Sequence, residues 1–491
     1  MDDISDQRSR RLDISQLIEE SINAHTPAIQ KINDTIWSNP EVAWHERTAH
    51  DTICDYFDSL GSDYSVHRHA YGIETSFLIQ ATTLDSSIQS NRTRTIVFNA
   101  EYDALPDMVL IPNTDPPQYK PAHACGHNLI ASASIAAFIA CWQALKETTF
   151  QGTVRLLGTP AEESGGGKIK LLEAGAYNNV DACMMVHPGP LTSDKNLRAV
   201  SFTTSLASQR VTADFKGLAS HAGFAPWKGK NALDALVTSY AAISALRQQL
   251  HPSLRVSGII TNGGTVANVI PDHTEAEYSI RAESRKELED LLEKIIHCFE
   301  AGEQAANCTV DVDDTRPAYW EMISNKCLCH DFTQRMNEFG VDTVYDLPEL
   351  TNDAGNVSHF IPAMQAGFFI DSGDAINHMP AFADAAGTMD AFERALDCGK
   401  GLAAMGFDVL TDAVKVAQVK DSYMLDISAK AAAVAQNYGK EVPTQKQIDN
   451  LLASPPSLFE PLLKNLEMGR EQVIGALMAV DAFFNPKRGL L

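Results

Sequence analysis

The chain has 491 residues, 44% of them hydrophobic, which is enough for several packed domains and excludes a wholly disordered protein. It carries 63 acidic and 39 basic side chains, a formal net charge of −24. A surface with that charge repels phosphate backbones, so we expect no nucleic-acid partner. The sequence has no run of 18 consecutive apolar residues, so we expect no membrane partner either.

The compartment is predicted from the cysteines and from the first residues of the chain. The first residues are polar and charged and lack the apolar stretch of a secretory signal. The nine cysteines are odd in number and have no regular spacing, which favours reduced thiols. We therefore expect a cytoplasmic protein.

The first part of the chain alternates helical and strand patterns. Residues 15–61 are typical of two helices around Asn39-Pro40, and residues 131–145 predict a long helix of small side chains. Three apolar runs bounded by turn residues predict strands, at 95–100, 153–159 and 182–186. Strands that alternate with helices predict an α/β sheet with helices on its faces.

A different rhythm follows, in the order β-α-β-β-α-β, which is the ferredoxin-like arrangement. The predicted strands and helices are 210–215, 231–250, 254–260, 274–281, 285–300 and 308–312. A unit of about a hundred residues can fold as a compact insert.

The domain organisation follows from where the α/β pattern resumes, at 344–345 and 367–370. We predict one mixed-sheet α/β domain made of residues 1–203 and 316–416, interrupted by an inserted domain at 204–315. Residues 417–491 consist largely of helix-forming residues, broken at Pro443 and at Pro455-Pro456, and predict a helical C-terminal extension.

Two clusters carry recognisable chemistry. Cys125 and His127 stand two residues apart directly before the small-residue helix, and a thiolate with an imidazole suits zinc or a similar divalent ion. The helix N-terminus is expected to help keep the thiol ionised. Two ligands do not make a site, and a buried cysteine beside a histidine that stabilises a turn is the structural alternative.

The second cluster is Glu162-Glu163, at the end of a predicted strand, where catalytic groups collect in parallel sheets. One carboxylate can bind a metal while its neighbour takes a proton from the attacking water. The structural alternative is a solvated acidic turn. The glycines that follow do not form a phosphate loop, because the spacing is wrong and Ile169 follows Lys168.

Two further histidines extend the donor set. His187 ends the predicted strand at 182–186, and His378 follows a predicted strand and turn far downstream. Five donors of suitable softness at loop ends predict one or two divalent metal ions: Cys125, His127, Glu163, His187 and His378. His221 lies in the inserted domain, where an ordinary loop histidine is the structural alternative.

Taken in order, these motifs resemble the M20 metallopeptidases. The matching segments are HACGHNLIA, PAEESGGGK, GxxSHAG, GGTVANVIPDHTEAEYSIR, DAGNVS and HMPAF, between about Ile32 and Phe407. They are most similar to the amidohydrolase branch, subfamily D, and within it to the aminoacylase-1-like group with M20-domain-containing protein 2. The combination of segments is specific to this family, although each segment alone is only modest evidence for it.

The resemblance implies a catalytic domain with a lid and dimerisation domain inserted into it, and a homodimer formed through that lid. It implies that the five donors above are metal ligands, with zinc favoured by the thiolate and manganese or cobalt allowed. Carried over by position, the other roles are Glu162 as general base, Asp103 as the acid that orients a ligand, His221 as an oxyanion donor to the partner's site, and Asn268 and Arg281 as contacts to the substrate's carboxylate.

The sequence also departs from the family pattern. Relatives outside this branch have a metal-binding histidine where Glu101 stands and a bridging aspartate where Cys125 stands. Residues 107–122 form a longer insertion than expected, the usual aromatic residue after Asn-Val-Ser is His359, and the extension has no recognised counterpart. These changes preserve the ligand set and leave the substrate open.

The leading hypothesis is a metal-dependent amidohydrolase that cleaves the amide bond of a small N-acyl amino acid or dipeptide, with Glu162 as general base. Two alternatives stay open. One is an amide-forming or tailoring enzyme that uses the same site in a biosynthetic pathway. The other is a catalytically silent protein that binds ligands or partners, although the intact ligand set and Glu162 count against it.

Overall fold

A computed structural model describes residues 2–83, 93–346 and 352–437. These residues form two compact units. The larger unit takes the described residues within Met1–Thr204, Ile323–Pro348 and Asn356–Leu491, and the smaller unit takes those within Ser205–Met322 and Glu349–Gly355.

The strands are numbered in chain order: β1 Ser65–Arg68, β2 Phe77–Thr83, β3 Arg94–Ala100, β4 Leu105–Ile111, β5 Gln118–Ala122, β6 Gly152–Gly158, β7 Ala182–Pro190, β8 Ala199–Phe202, β9 Ala207–Lys216, β10 Ser220–His221, β11 Arg255–Asn262, β12 Val269–Ile270, β13 His273–Ala282, β14 Thr309–Asp313, β15 Thr343–Asp346 and β16 Ala363–Ile370. The α-helices are α1 Asp2–Ser38, α2 Arg47–Ser59, α3 His127–Lys146, α4 Gly167–Glu173, α5 Ala232–Leu246, α6 Arg285–Ala306, α7 Lys326–Glu338, α8 Ala354–Ser358, α9 Pro380–Ala386, α10 Met389–Thr411 and α11 Ala413–Asn437.

The larger unit is built on a mixed eight-stranded sheet in the order β1-β2-β6-β3-β7-β16-β8-β15. The four central strands β6, β3, β7 and β16 are parallel, so their carboxyl ends share one edge. β2 and β8 run antiparallel to the strands they flank. The predicted mixed-sheet α/β fold is confirmed, and the shared edge is where loop residues from several strands can meet.

Helix α3 crosses the core of this unit and is buried along almost its whole length. It is long and apolar enough to cross a membrane by length and composition, but 94% of the relevant window is buried inside the protein, as in the core helix of a globular domain. The small side chains Ala133, Ala136 and Ala137 allow close packing of α1 and α10 against it. The helix begins at His127, four residues before the predicted start.

Strand β7 is longer than predicted because its hydrogen bonding with β16 continues past Val186. The parallel register runs from Ala363 opposite Cys183 to Ile370 opposite Pro190. His187 therefore lies within the strand, opposite Gly367, and its position is fixed by the sheet.

The insertion at 107–122 is largely a β-hairpin of β4 and β5, paired from Leu105 opposite Ala122 to Ile111 opposite Gln118. The hairpin lies between Asp103 and Cys125 in the sequence. Its two ends are therefore connected directly to candidate site residues. This hairpin was not predicted from the sequence, because its exposed strands lack a clear apolar alternation.

The smaller unit has the predicted β-α-β-β-α-β order, with β9, α5, β11, β13, α6 and β14 forming a sheet in the order β11-β13-β9-β14. Each helix has a side-chain N-cap. Asn231 accepts backbone N–H groups of α5. At the start of α6, Ser284 Oγ accepts the Glu287 backbone N–H and donates its own hydroxyl to the Glu287 carboxylate. The core of the unit includes Phe215, Phe299 and Ile295, which are fully buried.

The C-terminal extension begins with α11, which packs on the larger unit. Asn325 donates a hydrogen bond to the Val419 carbonyl, and Lys415 pairs with Asp331 at 2.6 Å. Residues 438–491, with the predicted breaks at Pro443 and Pro455-Pro456, lie outside the described residues.

Phe138 on α3 tests how much the core contributes to stability. It is fully buried and packs edge-on against Phe57, with ring centroids 5.4 Å apart. Phe138→Ala should lower the free energy of unfolding by about 3–5 kcal/mol, because it opens a cavity that the core cannot refill. Phe150→Ala, at a side chain that is 49% exposed, is the matched control and should cost much less. Equal losses in chemical denaturation would contradict this description of the core.

Candidate metal centre

The carboxyl edge of the central strands gathers the polar side chains of the larger unit. Glu101 and Asp103 follow β3, Glu162 and Glu163 follow β6, and His187 lies in β7. Cys125 and His127 stand at the start of α3, whose N-terminus reaches the same cluster.

Cys125, His127 and His187 form one donor group, with ligand atoms all within 4.8 Å of one another. Cys125 Sγ lies 3.4 Å from His187 Nε2. His187 Nδ1 is 2.9 Å from the Pro188 carbonyl, so a proton on Nδ1 donates to that oxygen and leaves Nε2 as the donor toward the group.

Cys125, Glu163 and His378 form a second donor group that shares the thiol with the first. His378 Nε2 lies 3.6 Å from Glu163 Oε2, and the His378 backbone N–H donates to the Ala124 carbonyl at 2.8 Å. His378 has a φ of 69°, a left-handed conformation that this backbone hydrogen bond helps hold. The five predicted ligands therefore lie in two groups that meet at Cys125.

Asp103 connects the two groups. Its Oδ1 is 2.9 Å from His127 Nδ1, and its Oδ2 accepts the backbone N–H of Glu163 at 3.0 Å. A carboxylate behind a ligating histidine fixes the ring orientation and increases the basicity of the other nitrogen. The structure thus places Asp103 where it orients His127.

The sequence analysis noted Glu101 only as the position of a metal-binding histidine in relatives outside this branch, and Lys168 and Asn377 were not assigned to the site. A third donor group contains Glu101, His127 and Glu162, and Lys168 donates to Glu101 Oε1 at 2.5 Å with both side chains fully buried. Asn377 donates to the Pro188 carbonyl and lies 3.9 Å from Cys125 Sγ. The usable signals were a charged residue directly after an apolar strand and a lysine after three glycines.

Burial overturns one expectation about the thiol. Burial and the neighbouring Glu163 raise the pKa of Cys125 well above its usual value, so the helix N-terminus alone does not keep it ionised. A bound cation reverses this balance, because a coordinating thiol is deprotonated. Burial also lowers the pKa of His187 to about 4, so that this imidazole is neutral and able to bind a metal near pH 7.

The carboxylates around His127 raise the pKa of this histidine, whereas burial lowers the pKa of His187. Burial lowers the pKa of His127, but Asp103 and Glu101 outweigh burial and raise the pKa well above the usual value. For Glu101, burial is outweighed by Lys168 and His127, which lower its pKa to about 2. The cluster therefore attracts positive charge.

The donor set fits a divalent metal. His127 Nε2 and Glu163 Oε1 are buried, lie 3.7 Å apart, and make no hydrogen bond with any residue that the structure describes. Buried polar atoms without a partner are costly unless something binds between them. Thiolate, imidazole and carboxylate donors around that gap are those that zinc-like ions prefer.

Two glycines are required by the close packing of the site. Gly126 has a φ of 75°, and a Cβ there would lie 2.6 Å from the Pro188 side chain. A Cβ at Gly167 would lie 1.7 Å from the Pro160 carbonyl oxygen, just before the two glutamates. Larger residues at either position would displace site backbone.

Glu46 supports the loop that carries Glu162 and Glu163. Its Oε1 accepts the backbone N–H of Ala161 at 2.8 Å, and its Oε2 accepts the Thr75 hydroxyl at 2.7 Å. Ala161 has a φ of 58°, a strained conformation for a residue with a Cβ. Burial, with a smaller contribution from Asp103, raises the pKa of Glu46 to about 7.

The remaining predicted residues lie in the smaller unit. His221 on β10 is exposed and pairs with Val269 of β12, and the Asn268 carbonyl accepts the Ala222 N–H at 3.1 Å. Arg281 lies on β13, where its neighbours across the sheet are Ser208 and Arg255. It is eight residues along the strand from His273, which is a distance of roughly 26 Å at 3.3 Å per residue. The structure brings His221 and Asn268 together beside the β10–β12 pair, whereas Arg281 lies on the separate four-stranded sheet.

Two buried carboxylates lie beside thiol and imidazole donors at the carboxyl edge of the parallel strands. This arrangement defines a metal-dependent hydrolase site. Comparison with known proteins agrees. Residues 204–306 match the family model of the M20 peptidase dimerisation domain. The chain is 38% identical over 400 residues to a Xaa-Arg dipeptidase of Mus musculus, covering 80% of this chain and 88% of the relative.

A Xaa-Arg dipeptidase of Homo sapiens is 34% identical, covering 83% of this chain and 91% of the relative. A Bacillus subtilis structure described as a dinuclear metal-binding peptidase of the M20 family has the same fold, with a TM-score of 0.56 and 20% identity over 79% of this chain and 98% of that one. The chain belongs to the M20 metallopeptidase family and is a metal-dependent amide hydrolase.

Glu46 generates a pH-dependent prediction. Because its pKa is raised from 4.5 to about 7, the stability that protonated Glu46 supports is complete below pH 4.5 and is lost as the pH rises through 7. A pKa shift of this size changes the free energy of unfolding by at most about 3 kcal/mol. Since a glutamine amide does not ionise, Glu46→Gln should gain stability relative to the wild type between pH 5 and pH 8.

The measurement is the unfolding midpoint of both chelator-treated proteins across that pH range. Glu300→Gln, at an exposed position of α6, is the control and should give a constant difference. A constant difference for Glu46→Gln as well would show that Glu46 has an ordinary pKa.

Proposed function

We propose that the protein hydrolyses the amide bond of a small dipeptide or N-acyl amino acid at a site that holds two zinc ions. The observation that carries this proposal is the pair of donor groups that share Cys125. Because Cys125 belongs to both groups, its thiolate would be available as a donor to either ion. Soft sulfur and nitrogen donors favour zinc over manganese and cobalt.

Five residues would hold the ions: Cys125 with His127 and His187 for one, and Cys125 with Glu163 and His378 for the other. When bound, a divalent metal acts as a Lewis acid that makes a water ligand more acidic and polarises the scissile carbonyl. The chain's own residues supply the proton transfers and the substrate contacts.

Glu162 is our proposed general base. Glu163 faces two imidazoles, His127 at 3.7 Å and His378 at 3.6 Å, as a ligand would. The carboxylate of Glu162 is nearly as buried and lies 3.8 Å from His127 Nε2. In this position Glu162 can take the proton of the attacking water and deliver it to the leaving amine.

His221 is our proposed oxyanion donor, supplied by the other subunit of a homodimer. Its Nδ1 accepts the N–H groups of Gly223 and Phe224, which leaves Nε2 as the nitrogen that can carry a proton toward a substrate. Asn268, beside His221, is a suitable contact for the substrate's carboxylate. Arg281 stays a prediction for the same role.

Dimerisation is supported by apolar side chains on the smaller unit. Ile259 and Ile260 on the edge strand β11 are 63% and 44% exposed, and Val237 and Tyr240 on α5 are 50% and 47% exposed. An edge strand with apolar side chains and a helix with an apolar face are surfaces that a second copy of the chain would cover.

For the substrate, we propose a dipeptide with a basic C-terminal residue. The support is the name of the two curated relatives and the net charge of −24, which favours basic over acidic ligands. We also propose a reducing, cytoplasmic setting, supported by nine free cysteines.

Glu162→Gln tests the assigned base. It should lower kcat on a hydrolysed dipeptide by about 10²–10⁴, because the proton acceptor is lost, while elemental analysis finds metal content near that of the wild type. Glu163→Gln is the paired variant and should lose metal as well as activity. Wild-type turnover in Glu162→Gln would show that the base lies elsewhere.

Complementation tests His221. Glu162→Gln and His221→Ala homodimers should each be nearly inactive, since losing an oxyanion donor costs about 10²–10³ in kcat. In a co-expressed mixture, each heterodimer has one site with both wild-type residues if His221 acts across subunits, so activity should return to roughly a quarter of wild type. A mixture no more active than its components would mean that His221 acts within its own subunit or not at all.

A further inference from the structure

Glu101 and Lys168 form a fully buried ion pair at the edge of the metal centre. Glu101 comes directly after β3, and Lys168 lies in the first turn of α4. The Lys168 ammonium donates to Glu101 Oε1 at 2.5 Å, and neither side chain has any exposed surface. Burying two charges is costly, and apolar residues can often replace a buried ion pair without loss of stability. The presence of this pair beside the site therefore suggests a functional role.

The second carboxylate oxygen of Glu101 faces the site. Oε2 lies 3.4 Å from His127 Nε2, a nitrogen without a hydrogen bond among the described residues, while His127 Nδ1 contacts Asp103 Oδ1. Glu101, His127 and Glu162 each place a donor atom within 4.8 Å of the others. The carboxylate thus has one oxygen on Lys168 and the other directed at a metal donor.

We propose that Glu101 is a further carboxylate ligand of the ion held by Cys125, His127 and His187, with Lys168 orienting it. This inference rests on the proposed two-metal site. That donor group has three protein atoms, and a fourth donor completes the tetrahedral set that zinc prefers. Lys168 fixes which oxygen is presented, and its charge offsets the added carboxylate in a site that already holds several negative groups.

Metal affinity distinguishes a ligand from a structural ion pair. In Glu101→Gln the amide oxygen can still accept from Lys168, and the amide nitrogen that then faces the site is a poor ligand. One of the two zinc ions should bind more than about 100-fold more weakly in chelator competition, because loss of an outer-shell partner alone costs about 10–100-fold. The other ion, at Cys125, Glu163 and His378, should keep its affinity.

Cobalt supplies a readout that does not depend on turnover. With the apo-protein reloaded with Co²⁺, Glu101→Gln should change the visible d–d absorption of one equivalent, since its donor number changes. The sulfur-to-cobalt charge-transfer band from Cys125 should persist. An unchanged d–d spectrum together with unchanged zinc affinity would overturn the proposal.

The double variant Glu101→Gln with Lys168→Met separates a ligand from a charge effect and avoids leaving a buried lysine with a neutral partner. It keeps the net charge of the site, so a purely electrostatic role predicts that zinc affinity returns to the wild-type value. A ligand role predicts that the affinity of one ion stays more than about 100-fold lower, beyond the roughly 10–100-fold cost of losing an outer-shell partner. Return to the wild-type affinity would overturn the proposal.

Asp408→Asn is the matched control, because it removes a carboxylate that pairs with the buried Arg335 at 2.9 Å and belongs to none of the donor groups found among the described residues. It should alter stability without changing zinc affinity.

If the wild-type protein itself bound no zinc, the two-metal function would fail. If it bound two ions and Glu101→Gln did too with equal affinity, only the Glu101 assignment would fail.

Discussion

Buried negative charge is the constraint on which the larger unit depends. Glu101, Asp103 and Glu163 have almost no exposed side-chain surface, and the thiol of Cys125 lies among them. Within the described residues, Lys168 is the basic side chain paired directly with this cluster, to Glu101. Carboxylates at such density are tolerated only when cations offset them, so the fold is organised to hold metal ions.

The sheet determines where these charges meet. Because β6, β3 and β7 are parallel, their carboxyl ends deliver carboxylates and an imidazole to one edge. Helix α3 brings Cys125 and His127 to the same edge, and Asp103 joins the two halves of the site through His127 and the Glu163 backbone. Gly126 and Gly167 allow the backbone to pack this closely.

Sequence patterns predicted the elements that carry strong periodicity or a familiar order, including the central strands and the ferredoxin-like smaller unit. They placed Cys125, His127, Glu163, His187 and His378 in one set because each donor type stands beside a strand or helix end. They marked the positions of Glu101 and Lys168 but not their pairing, because neither burial nor a contact between residues 67 apart in sequence can be read from a local pattern. The hairpin at 107–122 was missed for a related reason, since exposed strands lack an apolar alternation. The ionisation of Cys125 was misjudged because helix position is visible in sequence whereas burial is not.

The central claim is that hydrolysis depends on metal held by this cluster. The most direct measurement is the metal content per chain, by elemental analysis, with dipeptide hydrolysis followed before chelation, after chelation and after return of Zn²⁺. The account predicts about two ions per chain, loss of hydrolysis with the metal, and recovery on readdition. Full hydrolysis by a protein stripped of metal would contradict it.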